Sequence, residues 1–300
     1  MVTHPSSCPC VRCNDARSPL WWLDARAEKQ IVTKAEGAEG FAAAEAREVA
    51  AFSAGVKRDI DKILAEVLST IAAAGATSIP VTQDIVQRVL GTLEAKMGAV
   101  IDAIKSTATP YAQSIAAAGF ETGATMLPQG SLNLAIFTSG ASPAVLASTA
   151  RTAERMAKVV ARTVADRIAE IMKIGLEGNM NGKTIMTLLT EEGFSETRAQ
   201  TIARTESSRA YNEGQKAAWK ESGLVEGTTW VVSPYACEFC QEVGRKFETQ
   251  STPLDGSFFD VGAVVTAPSG RTLTIGFDKI TSPPLHPNCR CGEQPVLIKG

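Results

Sequence analysis

Apolar residues recur at three- and four-residue spacing in several stretches between about residues 40 and 175, which is the pattern of amphipathic helices. It is clearest in the stretches 40–74, 82–106 and 142–175. In the first of these the apolar positions are Phe52, Val56, Ile60, Ile63, Leu64, Val67, Leu68 and Ile71. Another Ala-rich helical segment covers about 111–126, and the stretch 127–141, which contains Gly and Pro, predicts a loop.

The pattern changes in the last third of the chain. Two shorter helices are predicted at 181–193 and 195–223. Runs rich in Thr, Val and Ile then follow at 228–232 and 271–275, and such residues favour β-strands. Ala becomes rare there, while Gly, Pro and Ser increase.

These observations divide the chain into three parts. We expect an extended N-terminal arm (1–38), an all-α, Ala-rich helical body (39–180) and a small α+β C-terminal module (181–300). Aromatic residues make up only 6% of the sequence, which also favours closely packed helices over an all-β fold. The predicted fold class is therefore mainly α.

The net charge of −2 argues against a general electrostatic grip on nucleic acid. One helix, 142–175, nevertheless carries a local surplus of basic residues: Arg151, Arg155, Lys158, Arg162, Arg167 and Lys173. They could face DNA phosphates, or form a solvated or protein-contacting face. No stretch is apolar enough to span a membrane, and the N-terminus lacks the apolar core of a secretory signal, so we expect a cytosolic site of synthesis.

The seven cysteines are clustered. Two form the C-x-x-C motif Cys237-Glu-Phe-Cys240, and two belong to His286-Pro-Asn-Cys289-Arg-Cys291. Thiolates three residues apart on a turn can bind one ion, and the second motif supplies an imidazole and two more thiolates. Four of these five groups would complete a tetrahedral Zn²⁺ site that ties the end of the chain to the C-x-x-C turn.

Other interpretations of these cysteines stay open. Two disulfides would form in an oxidising setting, and free buried thiols are a third possibility. Cys289 and Cys291 would point to opposite faces of a regular strand, so either a turn brings both inward or one is not a ligand. A metal here is expected to be structural, since no general base for a catalytic zinc can be identified.

The predicted arm contains two further candidate sites. His4, Cys8, Cys10 and Cys13 offer four ligands within ten residues and could hold a second ion, although little core lies behind them. The pair Trp21–Trp22 either folds back onto the body or docks into a partner's groove, because aromatic residues dominate interface hot spots.

The stretch from about 195 to 297 resembles the bacteriophage Mu F-like minor head proteins, also called head morphogenesis proteins. The resemblance is carried, in order, by Ala203-Arg204-Thr205-Glu206, Ala210-Tyr211-Asn212-Glu213-Gly214, Trp230, Cys237-Glu-Phe-Cys240, Gly244, Pro283-Pro284-Leu285-His286-Pro287-Asn288-Cys289-Arg290-Cys291 and Pro295. One departure is that family members often place an Asp shortly before the first Cys, whereas Ser233-Pro234-Tyr235-Ala236 precede Cys237 here.

The resemblance implies a minor structural protein of a tailed-phage head. Such proteins associate with the portal protein, enter the procapsid in few copies and act in head assembly and in DNA packaging or ejection. The expected partners are the portal protein, in several copies around its ring, the major capsid or scaffold protein, and packaged DNA. The expected location is the portal vertex of the virion, after synthesis in the bacterial cytoplasm.

The helix that carries part of the resemblance is rich in polar residues. Arg204, Glu206, Arg209, Asn212 and Glu213 are expected to form a structural polar cluster that packs against the zinc module. A catalytic cleft or a partner-facing surface are the alternatives for these residues. We predict no enzymatic activity, since the sequence contains no P-loop or dinucleotide-binding motif and offers no hydroxyl nucleophile beside a histidine. An enzyme delivered with phage DNA and a DNA-contacting connector protein remain as alternatives.

Overall fold

A computed structural model describes residues 35–128, 143–192, 196–233, 236–276 and 278–298. The candidate second metal site (His4, Cys8, Cys10, Cys13) and the pair Trp21–Trp22 lie outside these ranges, as does most of the predicted 127–141 loop. Within them, no helix has both the length and the apolar character needed to cross a membrane.

The described part of the chain is a mostly helical body followed by a small α+β region. Its helices are α1 Ala35–Ala73, α2 Gln83–Thr125, α3 Pro143–Glu177, α4 Gly182–Glu192, α5 Glu196–Ser222 and α6 Glu238–Phe247. The predicted stop after α1 is confirmed, because Gly75 adopts a left-handed conformation (φ 71°) that ends helices at little cost. Gly223 (φ 65°) does the same after α5.

One helix is longer than predicted. The separate segments expected at 82–106 and 111–126 form the single helix α2, with Pro110 inside it. A proline inside a helix costs about 3 kcal/mol. The buried side chains around it, including Ile104, Ala108, Tyr111 and Ala112, continue one apolar stripe past the proline. Burial of that stripe offsets the cost, which local sequence rules do not anticipate.

The strands form two small antiparallel sheets. In the first, β1 (Val225–Val231) lies between β2 (Thr252–Pro253) and β5 (Gly292–Leu297). The second is the hairpin of β3 (Val264–Thr266) and β4 (Thr272–Thr274). The two β-like runs of the sequence fall in β1 and β4, as predicted.

The described residues fall into two compact units. We call them the mixed unit (Met1–Arg47, Gln113–Ser148 and Arg204–Gly300) and the helical unit (Glu48–Ala112 and Thr149–Ala203). Helices α1, α2, α3 and α5 contribute residues to both. The three segments expected from the sequence stay a prediction; the compact units join stretches distant in the chain, which local composition does not reveal.

The helical unit is held by a conventional apolar core. Its fully buried side chains include Ile60, Ile71, Ile104, Met156, Ile168, Ile171 and Met172. Phe52 stacks on Tyr111 with 4.6 Å between ring centroids, and the Tyr111 hydroxyl donates a hydrogen bond to the carbonyl of Ala203. Apolar burial of this extent is the dominant stabilising contribution to such a unit.

In the mixed unit, α2 and α5 pack at very short range through small residues. A Cβ atom added to Gly119 would collide with the Tyr211 carbonyl, and one added to Gly214 would collide with the Ala116 carbonyl. The close approach places the indole of Trp219 inside the unit, where its Nε1 donates a 3.1 Å hydrogen bond to the Gly123 carbonyl.

A second core of the mixed unit lies under its strands and α6. Trp230 and Phe247 pack edge-on against Phe258, with ring centroids 5.1 and 4.9 Å apart. Helix α6 approaches the end of β1 through Gly244, where a Cβ would collide with the Val232 side chain. This aromatic core lies directly beside the cysteines of the region.

We expect Gly214→Ala to destabilise the protein by about 1–3 kcal/mol, although alanine has the higher helix propensity, because the added methyl group meets backbone. Gly98→Ala on α2 is the matched control, since nothing lies within 4 Å of its Cβ position. The control should be neutral or stabilising by up to about 1 kcal/mol. Thermal unfolding of both variants checks this, and equal stability of the two would contradict the close packing of α2 on α5.

Candidate metal centre

The C-x-x-C motif lies at the start of α6. Cys237 is the N-cap residue, with extended backbone, and its side chain makes no capping hydrogen bond. Cys240 lies in the first turn of the helix and is buried. A cap and a first-turn position bring the two sulfur atoms to the same helix end, where the helix dipole favours thiolates.

The second set of donors is presented by a tight turn. The Cys289 N–H donates a 3.0 Å hydrogen bond to the His286 carbonyl, which closes the turn. Pro287 occupies its second position, and Asn288, with φ 59°, its third. Proline followed by a residue with positive φ is the preference of a type II turn, and Asn tolerates this conformation better than most residues. The sequence His-Pro-Asn-Cys therefore encodes the turn locally.

The two segments converge on one cluster. The His286 Nε2 atom lies 3.1 Å from Cys237 Sγ and 3.2 Å from Cys240 Sγ. Cys240 Sγ lies 3.5 Å from Cys289 Sγ. Cys240 belongs to two triplets, one with Cys237 and His286 and one with Cys289 and Cys291, and in each triplet the donor atoms lie within 4.8 Å of one another. All five predicted ligands are thus brought together.

The tautomer of His286 suits metal binding. Its Nδ1 lies 2.8 Å from the Pro287 carbonyl oxygen. A carbonyl only accepts hydrogen bonds, so Nδ1 carries the proton. In the neutral ring Nε2 then has a free lone pair directed at the sulfur atoms, the arrangement that histidine ligands of metals usually have.

The thiols are strongly coupled to one another and to the imidazole. A hydrogen bond from the Cys240 thiol is the main reason that the pKa of Cys237 falls to about 4. The same bond, together with those to Cys289 and Cys291, raises the pKa of Cys240. Burial lowers the pKa of His286, but the hydrogen bond with Cys237 and the negative charge of Cys289 outweigh it and raise that pKa to about 9.

The cluster is shielded from solvent. Cys240, Cys289 and Cys291 are each only 2–3% exposed. These cysteines and Cys237 are all free thiols, so the disulfide interpretation of the sequence does not hold for the described residues. Sulfur and imidazole nitrogen are the donors that Zn²⁺ prefers, and the Cys/His cluster could therefore hold a metal ion.

The predicted polar cluster on α5 makes several distinct contacts. Glu206 is buried and pairs with Arg209 at 3.2 Å, and Arg204 is half-buried. The amide of Asn212 donates to the Pro283 carbonyl at 3.3 Å. Glu213 accepts a hydrogen bond from Ser148. The side chain of Asn212 therefore bonds to the segment that carries His286.

Sequence reasoning missed a buried ion pair in the same unit. Lys216 Nζ lies 3.7 Å from Oε2 of Glu293, and the two side chains are 8% and 0% exposed. Burial raises the pKa of Glu293, although the charge of Lys216 opposes the shift. The available signals were a lysine within the apolar end of α5 and an acid two residues after Cys291 in a strand.

Comparison with known proteins adds no family assignment. No protein-family model matches the chain, and searches of curated proteins and of solved structures found no match.

We expect metal binding to release protons and to tighten as pH rises. The raised pKa values keep His286 and Cys240 protonated near neutral pH in the metal-free protein, whereas metal ligands must be deprotonated. Each proton released makes binding about tenfold tighter per pH unit. Zn²⁺ affinity measured by chelator competition between about pH 6 and 8 checks this, and an affinity independent of pH would contradict it.

Proposed function

We propose that the Cys/His cluster binds one structural Zn²⁺ and that the chain is a minor structural protein of a tailed-phage head. The observation that carries the metal part is the convergence of two segments whose donors, Cys240 and His286, are 46 residues apart in the chain. Such a convergence of thiols and an imidazole is the donor set of a structural zinc site.

Four of the five groups would complete a tetrahedral set, with His286 among them because its Nε2 faces two sulfurs. A structural role fits the burial of the cysteines, since a catalytic zinc keeps one position open to substrate. When bound, Zn²⁺ would cross-link the start of α6 to the turn before β5. It would thereby contribute directly to the folding of a region whose strands are short.

The head-protein part of the proposal rests on the resemblance to Mu F-like proteins. The motifs that carry the resemblance are not scattered over the surface of the mixed unit. Asn212 of α5 bonds to Pro283, Gly244 allows α6 to approach β1, and Trp230 packs in the core beside the cysteines. Together these motifs form the framework of one small module.

The proposed partners are the portal protein, in several copies around its ring, and the major capsid or scaffold protein. The proposed location is the portal vertex at the capsid interior, where the protein would act in head assembly and in DNA packaging or ejection. The N-terminal arm, with Trp21 and Trp22, is the proposed docking element. A structural role of this kind requires no enzymatic activity.

The charge pattern of α3 gives little support to the alternative of a DNA-contacting protein. Most of its basic side chains pair with a neighbouring acid: Lys158 with Glu154 at 2.7 Å, Arg167 with Glu170 at 2.6 Å, Lys173 with Glu177 at 3.7 Å and Arg162 with Asp166 at 3.9 Å. These acids neutralise much of the charge that phosphates would need.

We expect one zinc per chain in the purified protein, measured by elemental analysis. Cys237→Ser and His286→Ala should lose it and lower the thermal stability, because each removes a ligand. Arg245→Ala on the same helix, at an exposed surface pair, is the control and should keep the zinc. Of Cys289→Ser and Cys291→Ser, at least one should lose the metal. Absence of zinc from the wild-type chain would contradict the metal proposal.

The head-protein proposal is tested separately. Quantitative mass spectrometry of purified virions should find the chain in heads, in far fewer copies than the major capsid protein. The chain should also co-purify with the portal protein of the same phage, and Trp21→Ala with Trp22→Ala should weaken that association. Absence of the chain from purified virions would contradict the proposal whether or not zinc is bound.

A further inference from the structure

One face of α5 is bonded to the backbone of the segment that carries the His286 turn. Thr205, Asn212 and Lys216 are seven and four residues apart, and at about 100° per residue their side chains project within about 40° of one another. All three are buried. Each makes a hydrogen bond to a main-chain group between Thr281 and Asn288.

Thr205 acts nearest to the ligands. Its Oγ1 accepts a 3.0 Å hydrogen bond from the N–H of Asn288. Asn288 is the left-handed residue of the turn and immediately precedes Cys289. A bond to this N–H holds the turn at the point where its conformation is least favourable, and thereby orients both His286 and Cys289.

Asn212 and Lys216 fix the approach to the turn. The Asn212 amide donates to the Pro283 carbonyl and also to the Ser208 carbonyl of its own helix. The Lys216 ammonium donates to the Thr281 carbonyl and lies 3.7 Å from Glu293. Glu293 lies on β5, two residues after Cys291. The three side chains thus tie α5 to the chain on both sides of the ligand turn.

Buried main-chain groups without a hydrogen-bond partner are costly. The segment from Thr281 to Asn288 has no regular secondary structure, and its residues 282–285 are buried. The side chains on α5 supply partners that a strand or helix would otherwise provide. Removing one of them therefore perturbs the segment even though none of the three is a metal ligand.

We propose that Thr205, Asn212 and Lys216 are positioning residues of the metal centre and couple metal binding to the docking of α5. The inference rests on the proposed zinc binding and goes beyond it, because it assigns a role to residues outside the cluster. Partners of this kind typically change metal affinity 10- to 100-fold. By linkage, metal binding stabilises the docked α5 to the same extent that docking strengthens metal binding.

The test measures Co²⁺ and Zn²⁺ affinity of the full chain by chelator competition. Thr205→Val removes the acceptor but keeps the shape, and we expect binding about 10- to 100-fold weaker. Thr205→Ser keeps the acceptor and should restore most of the affinity. The matched control is Thr122→Val on α2. The hydrogen bond described for the Thr122 hydroxyl goes to the Ala118 carbonyl of its own helix.

Asn212→Leu is a second variant of similar size without the amide donor, and it should also weaken binding. Hydrogen exchange provides a readout independent of affinity. Removal of the metal from the wild-type chain should increase amide exchange in both the 281–289 segment and the adjoining turns of α5. In Thr205→Val the increase in α5 on metal removal should be smaller, because part of the coupling is already lost.

These measurements distinguish failure of the positioning role from failure of the metal proposal. Wild-type affinity in both Thr205→Val and Asn212→Leu, while Cys237→Ser loses the metal, would overturn the positioning role and leave the zinc site standing. Failure of the wild-type chain to bind Co²⁺ or Zn²⁺ would overturn the metal proposal and this inference together. Weaker binding in Thr205→Val and Asn212→Leu, with Thr205→Ser and Thr122→Val near wild type, is the result that supports it.

Discussion

The mixed unit depends on one constraint: four cysteines and a histidine from two distant segments must share a small space, in two triplets joined by Cys240 whose donor atoms lie within 4.8 Å of one another. Strands of two to seven residues, as found here, are weakly stabilised by pairing alone. The aromatic core around Phe258 covers one side of the cluster. A metal cross-link at this point would hold together the start of α6 and the turn before β5, which chain connectivity leaves 46 residues apart.

Helix α5 links this cluster to the rest of the mixed unit. One end of the contact is the close packing of Gly214 on α2, which is possible because Gly119 on α2 and Gly214 on α5 each meet the backbone of the other helix without a side chain between them. The other is the set of bonds from Thr205, Asn212 and Lys216 to the ligand-bearing segment. A single helix therefore connects α2 to the metal centre, with close packing on one side and polar contacts on the other.

The charged residues are used differently in the two units. On α3 of the helical unit, lysines and arginines form solvent-exposed pairs such as Lys158 with Glu154, which contribute little to stability. In the mixed unit, Lys216 and Glu293 are buried and paired, so that removing either one alone would leave an unpaired buried charge. The first arrangement suits a solvated surface. The buried pair of Lys216 and Glu293 suits a segment that is held in one position.

Local patterns in the sequence determined the helices, the helix stops at Gly75 and Gly223, the β-like runs and the identity of the five donors, because periodicity, glycine conformation and ligand chemistry are properties of short stretches. The His-Pro-Asn-Cys turn is encoded in the same way. Only the tertiary structure decided that α2 continues through Pro110, that His286 faces both Cys237 and Cys240, and that Thr205 and Lys216 support the ligand turn. Those outcomes depend on which distant groups meet on burial, and a hydrogen bond to a main-chain group leaves no residue-specific signal in the partner's sequence.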